Sequence, residues 1–122
     1  MVDKRVVLIK RLLHRTENGG MTWEPTAREN EFLSSFSGYT VSIGSRRTSP
    51  GDPDLVFSIY NADGSLVEEF DDTDLPADND FDPYVTMGRL HEMARRYAMG
   101  AEQALDSLLN ELDDRDIDDL PF

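Results

Sequence analysis

Cysteine is absent from the chain, which excludes a disulfide framework, a thiolate zinc site and a cysteine nucleophile. Histidine is scarce, with only His14 and His91. Neither has a second histidine at the spacing of a zinc-protease helix, because His91-Glu92 runs on into Met93-Ala94-Arg95. Both read as surface or boundary residues. Long apolar runs are missing too. The longest candidate, Val6 to Ile9 with Leu12 and Leu13, is interrupted by Lys10 and Arg11 and falls short of the roughly 20 residues that cross a bilayer. No small-residue cleavage site follows it, so no signal peptide or membrane association is expected, and the expected location is the cytoplasm. No glycine-rich loop opens a helix or precedes a lysine, and no nucleophile elbow surrounds a serine, so the common phosphate cradles and hydrolase signatures are lacking. The expectation is a non-enzymatic protein without a cofactor.

Positive charge is also in short supply. Twelve Lys+Arg stand against 25 Asp+Glu, for a net charge of −13 over 122 residues. That length suits one domain with one core, and 39% hydrophobic residues are enough to build it. So negative a chain is poorly suited to coating duplex DNA over a broad face. The charge is nevertheless uneven. Residues 1–15 hold Lys4, Arg5, Lys10, Arg11 and Arg15 against Asp3 alone. Residues 63–82 hold nine acids and no base, and residues 111–122 hold six acids against Arg115. Within the first acidic block, Asp78, Asp80 and Asp82 have the opening spacing of a calcium loop. Pro83 then stands where the loop needs glycine, and Arg89 where it needs glutamate, so no metal is expected.

Val2, Val6, Ile9 and Leu13 fall at helical spacing and Glu17-Asn18-Gly19-Gly20 supplies a stop, which predicts a short basic helix over about residues 3–16. The period then changes. Met21 to Glu24, Phe32 to Phe36, Tyr39 to Ser45, Asp54 to Asn61 and Leu66 to Phe70 alternate or carry β-formers, and predict about five strands of an antiparallel meander with one buried face. Asn61-Ala62-Asp63-Gly64 marks a tight hairpin turn. Residues 71–82 show no period and read as a loop. From Met87 through Leu90, Ala94, Tyr97, Ala101 and Ala104 to Leu108 an apolar stripe steps by three and four, widened by Leu105, Leu109 and Leu112. It predicts a C-terminal helix packed on the sheet, either continuous over about residues 84–112 or broken at Gly100 into 84–98 and 101–112. The fold class is α+β, with residues 1–112 as one domain and 113–122 as an acidic tail. The order Trp23, Phe36, Tyr39-Thr-Val-Ser-Ile, Phe57-Ser-Ile-Tyr60, Asp63-Gly64 resembles that of small bacterial proteins to which no activity is attached.

Two surfaces carry functional expectations. Arg46, Arg47, Arg95 and Arg96, with Trp23, Tyr39 and Tyr60, form a candidate nucleic-acid surface, since aromatics and arginines on a sheet hold single strands without sequence preference. The more specific pattern is Asp116-Ile117-Asp118-Asp119-Leu120-Pro121-Phe122. It resembles the C-terminal tip of bacterial single-stranded DNA-binding proteins, over about seven residues and up to the last one. No oligonucleotide-binding barrel pattern precedes it. The resemblance implies docking onto the proteins that such tips recruit, namely helicases, nucleases and recombination mediators. Physical reasoning agrees with it independently. A terminal phenylalanine offers a ring for an apolar pocket and a carboxylate for a basic rim, Pro121 limits the ordering cost, Leu120 adds a second apolar contact, and Asp116, Asp118 and Asp119 steer toward positive charge.

The expected function is therefore an adaptor or modulator of DNA replication, recombination or repair. Two alternatives stand beside it. One is an acidic inhibitor that mimics nucleic acid, with Asp63 to Asp82 as a phosphate-like row, as in an anti-restriction, anti-defence or immunity protein. The other is a single-stranded DNA-binding protein whose acidic tail competes for its own basic surface.

Overall fold

In the computed structural model of the protein, the structure describes residues 3–47, 51 and 53–112. The segment 113–122, which holds the whole candidate docking tip, lies outside the described residues.

Helix α1 spans Lys4–Glu17. Asp3 caps it, its carboxylate accepting from the Arg5 N–H at 2.9 Å, and Asn18 ends it by donating its N–H to the His14 carbonyl. The chain then runs through five strands, β1 (Glu24–Pro25), β2 (Glu31–Phe36), β3 (Tyr39–Arg46), β4 (Asp54–Asn61) and β5 (Leu66–Asp71). They form one antiparallel sheet in sequence order. Helices α2 (Pro83–Ala98) and α3 (Ala101–Glu111) follow. This is the expected α+β meander with an N-terminal helix and two C-terminal helices.

The register sorts side chains by face. Phe32 lies opposite Ile43, Ile43 opposite Phe57, and Phe57 opposite Phe70, so one row crosses four strands on the helix-covered face. Ile9, Leu12, Met87, Leu90 and Ala94 close over this row, with Trp23, Leu55, Leu75 and Phe81 at its margins. The alternation in Tyr39 to Ile43 predicts this, and Val41 and Ile43 are buried while Tyr39, at the strand's start, is exposed.

Three expectations need correction. Met21 and Trp23 are buried but lie in no strand, and β1 is only Glu24–Pro25. Proline has no N–H to offer a ladder, and the residues before it turn into the core instead of pairing. The Asp-rich connection is not structureless, for Asp72–Asp74 form a 3₁₀ turn and Asp78 and Phe81 form an isolated bridge. The third concerns the apolar stripe. Helix α2 packs on the sheet, but α3 packs against α2 and buries none of its residues. Gly100 is the cause. It sits at φ +68°, in the left-handed region that glycine enters without strain, and the chain turns away from the sheet there. Leu105, Leu108, Leu109 and Leu112 are consequently exposed.

Candidate functional site

The four arginines proposed as a nucleic-acid surface do not share one face. Arg46 ends β3 on the side of the sheet that carries no helix, level with Gly44 and Ser42. Its guanidinium reaches between Glu69 on β5, at 3.7 Å, and Glu31 on β2, at 4.0 Å. Glu69 in turn accepts from the Ser58 hydroxyl at 2.9 Å. This bridge lies over a strip of small residues on the helix-free face, where Ser42, Gly44, Val56 and Ser58 are buried. Arg47 donates to the Gly51 carbonyl. Arg95 and Arg96 belong to α2, in the other layer, and pair with Glu92 and Glu102 at 2.5 and 2.6 Å. The Arg95 guanidinium beside Glu92 holds that carboxyl below its usual range. Of the accompanying aromatics, Trp23 is core, its indole N–H donating to the Thr16 hydroxyl at 3.2 Å, and Tyr39 and Tyr60 line a shallow hollow at the β3–β4 end with Phe36. Thus Arg46, Arg95 and Arg96 each meet a carboxylate, and the two pairs of arginines occupy different layers.

The histidines also have local explanations. His91 stacks its ring 5.5 Å from Phe32, and its Nε2 donates to the Asn30 carbonyl at 2.9 Å. The same carbonyl accepts from the Ser45 N–H at 3.1 Å, so Asn30, held at φ 61°, ties α2 to the entrance of the sheet. His14 lies on the outer side of α1, beside Asn18.

The acidic segment is built into the fold. The Asp71 carboxylate accepts from Thr73 N–H while Asp74 reaches back to the Asp71 N–H, a reciprocal cap for the 3₁₀ turn. Asp72 accepts from the Leu55 N–H at 3.0 Å and so completes the end of β4. Asp78 accepts from Asp80 N–H, and Asp82 caps α2 by accepting from Val85 N–H at 3.2 Å, ahead of Pro83 at the first helical position. Among the described residues no three His, Cys, Asp or Glu side chains are grouped to hold a metal ion. Asp82→Ala is therefore expected to lower stability by about 1 kcal/mol. Asp82→Asn should cost less, since its carbonyl oxygen still accepts from Val85. Urea denaturation of the two variants checks this, and a phosphate mimic with no structural duty would show neither loss.

One group of exposed apolar side chains directly precedes residues 113–122 in the chain. On α3, Leu105, Leu108, Leu109 and Leu112 are 48%, 54%, 66% and 58% exposed, with Glu102, Asp106 and Glu111 around them. Between α2 and α3 a hollow of about 220 Å³ is lined by Met93, Arg96, Tyr97, Glu102 and Gln103. Sequence reasoning placed these leucines in the core. The outward bases of α1 border a second apolar hollow, and the local excess of positive charge at residues 1–15 is the sequence signal for it.

Comparison of the chain with protein families, curated proteins and solved structures gives no match of any of the three kinds. None of the described helices is long and apolar enough to cross a membrane.

Proposed function

We propose that the protein is a non-enzymatic adaptor or modulator of DNA transactions that docks its partners through residues 116–122. The observation that carries this reading is the run Asp116-Ile117-Asp118-Asp119-Leu120-Pro121-Phe122, in which two apolar side chains flank a proline behind closely spaced carboxylates. The structure adds support from the adjoining element. Helix α3, directly before the tail, presents three exposed leucines among acidic residues with a fourth, Leu112, at its C-cap, and grouped exposed apolar side chains mark protein-binding surfaces. The partners of matching chemistry are helicases, nucleases and recombination mediators that hold single-stranded DNA-binding protein tips, each through a basic rim around an apolar pocket. Direct contact of Arg46, Arg47, Arg95 and Arg96 with nucleic acid is the weaker reading, because three of the four already face carboxylates.

The test is competition. The full chain should displace a fluorescent single-stranded DNA-binding protein tip from a purified helicase or nuclease that recognises it. Deleting Phe122 should weaken the displacement about tenfold or more, which corresponds to about 1.4 kcal/mol. Binding should also fall as salt rises, since the aspartates act through screened charge. Equal displacement by the intact and Phe122-deleted chains overturns the reading.

A further inference from the structure

Five arginines of this acidic protein are matched to a carboxylate. Arg5 lies against Asp3, Arg46 against Glu31 and Glu69, Arg89 against Glu17, Arg95 against Glu92 and Arg96 against Glu102. Apart from Arg5, helix α1 has a run of bases without such a match. Lys4, Arg11 and Arg15 meet no carboxylate among the described residues, although the chain carries twice as many acids as bases. With Leu8 they step along one flank of the helix at spacings of four, three and four. Beside that flank lies a groove of about 410 Å³, walled by Leu8 and Leu12 of α1 and by Phe36 at the end of β2, with Arg11, His14 and Arg15 at its rim. Lys10 also borders it, but its ammonium is drawn 5.4 Å from the Phe81 ring. Phe36 is 38% exposed and Leu8 half-buried, so the floor is apolar and open.

We propose that this groove is the binding site for the chain's own acidic C-terminal segment, residues 113–122, with Leu120 and Phe122 against Leu8, Leu12 and Phe36 and the aspartates against Arg11 and Arg15. The ligand is the peptide of the proposed function, and the inference builds on that reading by naming a second receptor for it, one that the chain supplies itself. Charge complementarity selects this occupant. The segment brings Asp113, Asp114, Asp116, Asp118 and Asp119 to a rim where Arg11 and Arg15 meet no carboxylate among the described residues, and it brings two apolar side chains to an apolar floor. Ten residues extend to about 33 Å, a reach of the order of the roughly 35 Å width of a domain of about 110 residues. Tethering also raises the effective concentration of the peptide into about the millimolar range. A tip held this way is withheld from weak receptors and released to a partner that binds it more tightly, which makes the contact autoinhibitory.

Amide NMR spectra of the full chain at about 0.05 M NaCl test the contact, with salt raised to about 0.5 M as a second arm. Phe122→Ala should shift the amides of residues 8–15 and of Phe36 while leaving those of Phe57 and Leu90 in place. Arg11→Glu combined with Arg15→Glu should shift the amides of Asp118, Asp119, Leu120 and Phe122, and high salt should reproduce both sets of shifts. The response should not depend on protein concentration. Shifts confined to residues 113–122 in Phe122→Ala overturn the proposal, and so do shifts that appear only as concentration rises, since the occupant is then a second copy. Should the charge-reversed protein fail to fold, the Phe122→Ala spectrum decides alone. The two readings fail separately. If Phe122→Ala no longer displaces the tip peptide from its receptor yet leaves α1 unmoved, the self-contact falls and the docking function stands. If α1 shifts but displacement is unchanged, the docking function falls.

Discussion

Leu90→Ala is expected to cost about 2–5 kcal/mol of unfolding free energy, whereas Leu109→Ala should stay within about 0.5 kcal/mol. Both leucines lie in one uninterrupted apolar stripe of the sequence and lose the same atoms on substitution. Their surroundings differ. Leu90 is 0% exposed and packs in the cluster with Ile9, Phe32, Phe57 and Met87, so truncation removes transfer energy and leaves a cavity that close-packed neighbours only partly fill. Leu109 is 66% exposed on α3 and loses little that water was not already touching. Urea denaturation followed by the emission of Trp23, the single tryptophan, measures both. An equal cost at the two positions would mean that α3 is covered by something, and repeating the measurement at several protein concentrations would tell whether a second copy covers it.

That contrast also shows which parts of the fold the amino-acid pattern carries. Period alone identifies an amphipathic helix, but it does not say what lies against each turn. The stripe from Met87 to Leu108 keeps its step across Gly100, so only the backbone conformation at Gly100 separates a core helix from an exposed one. Strands β2 to β5 were readable because alternation and turn residues report local geometry, and their bounds differ by a residue at most. β1 was not, because burial of Met21 and Trp23 imitates a strand where no ladder forms. Charge misleads in a similar way. Neighbouring aspartates at 71–82 read as a charged row, yet their carboxylates satisfy backbone N–H groups at the ends of a strand, a 3₁₀ turn and α2. Arg46 and Arg95 look alike in sequence, but which acids they meet depends on sheet register and helix packing, which no local spacing encodes. The tip at residues 116–122 is the reverse case, since its chemistry is local and stands in the sequence alone. The unmatched bases of α1 needed both sources, composition to notice them and coordinates to show that the acids nearby are engaged elsewhere.

The second large effect concerns a polar link inside the core, the Thr16–Trp23 hydrogen bond. Thr16→Val is expected to destabilise the protein by about 1–3 kcal/mol, although valine has nearly the same shape. Thr16 is 0% exposed in the last turn of α1, and its hydroxyl accepts from the indole N–H of Trp23 at 3.2 Å. Trp23 is itself only 4% exposed, so valine leaves a buried donor with no acceptor, and the cost is the lost hydration of that N–H. Thr16→Ser keeps the acceptor and should lose less, about 1 kcal/mol for the missing methyl group. A double-mutant cycle isolates the bond. In a Trp23→Phe background the donor is gone, and Thr16→Val should then cost less than it does in the native chain. An unchanged cost in that background would show that Thr16 acts by packing alone. The link joins the end of α1 to the segment entering β1, which holds the basic helix against the body of the domain. Weakening it should therefore also loosen the groove formed by Leu8, Leu12 and Phe36, visible as broadened amide signals at those residues before global unfolding begins.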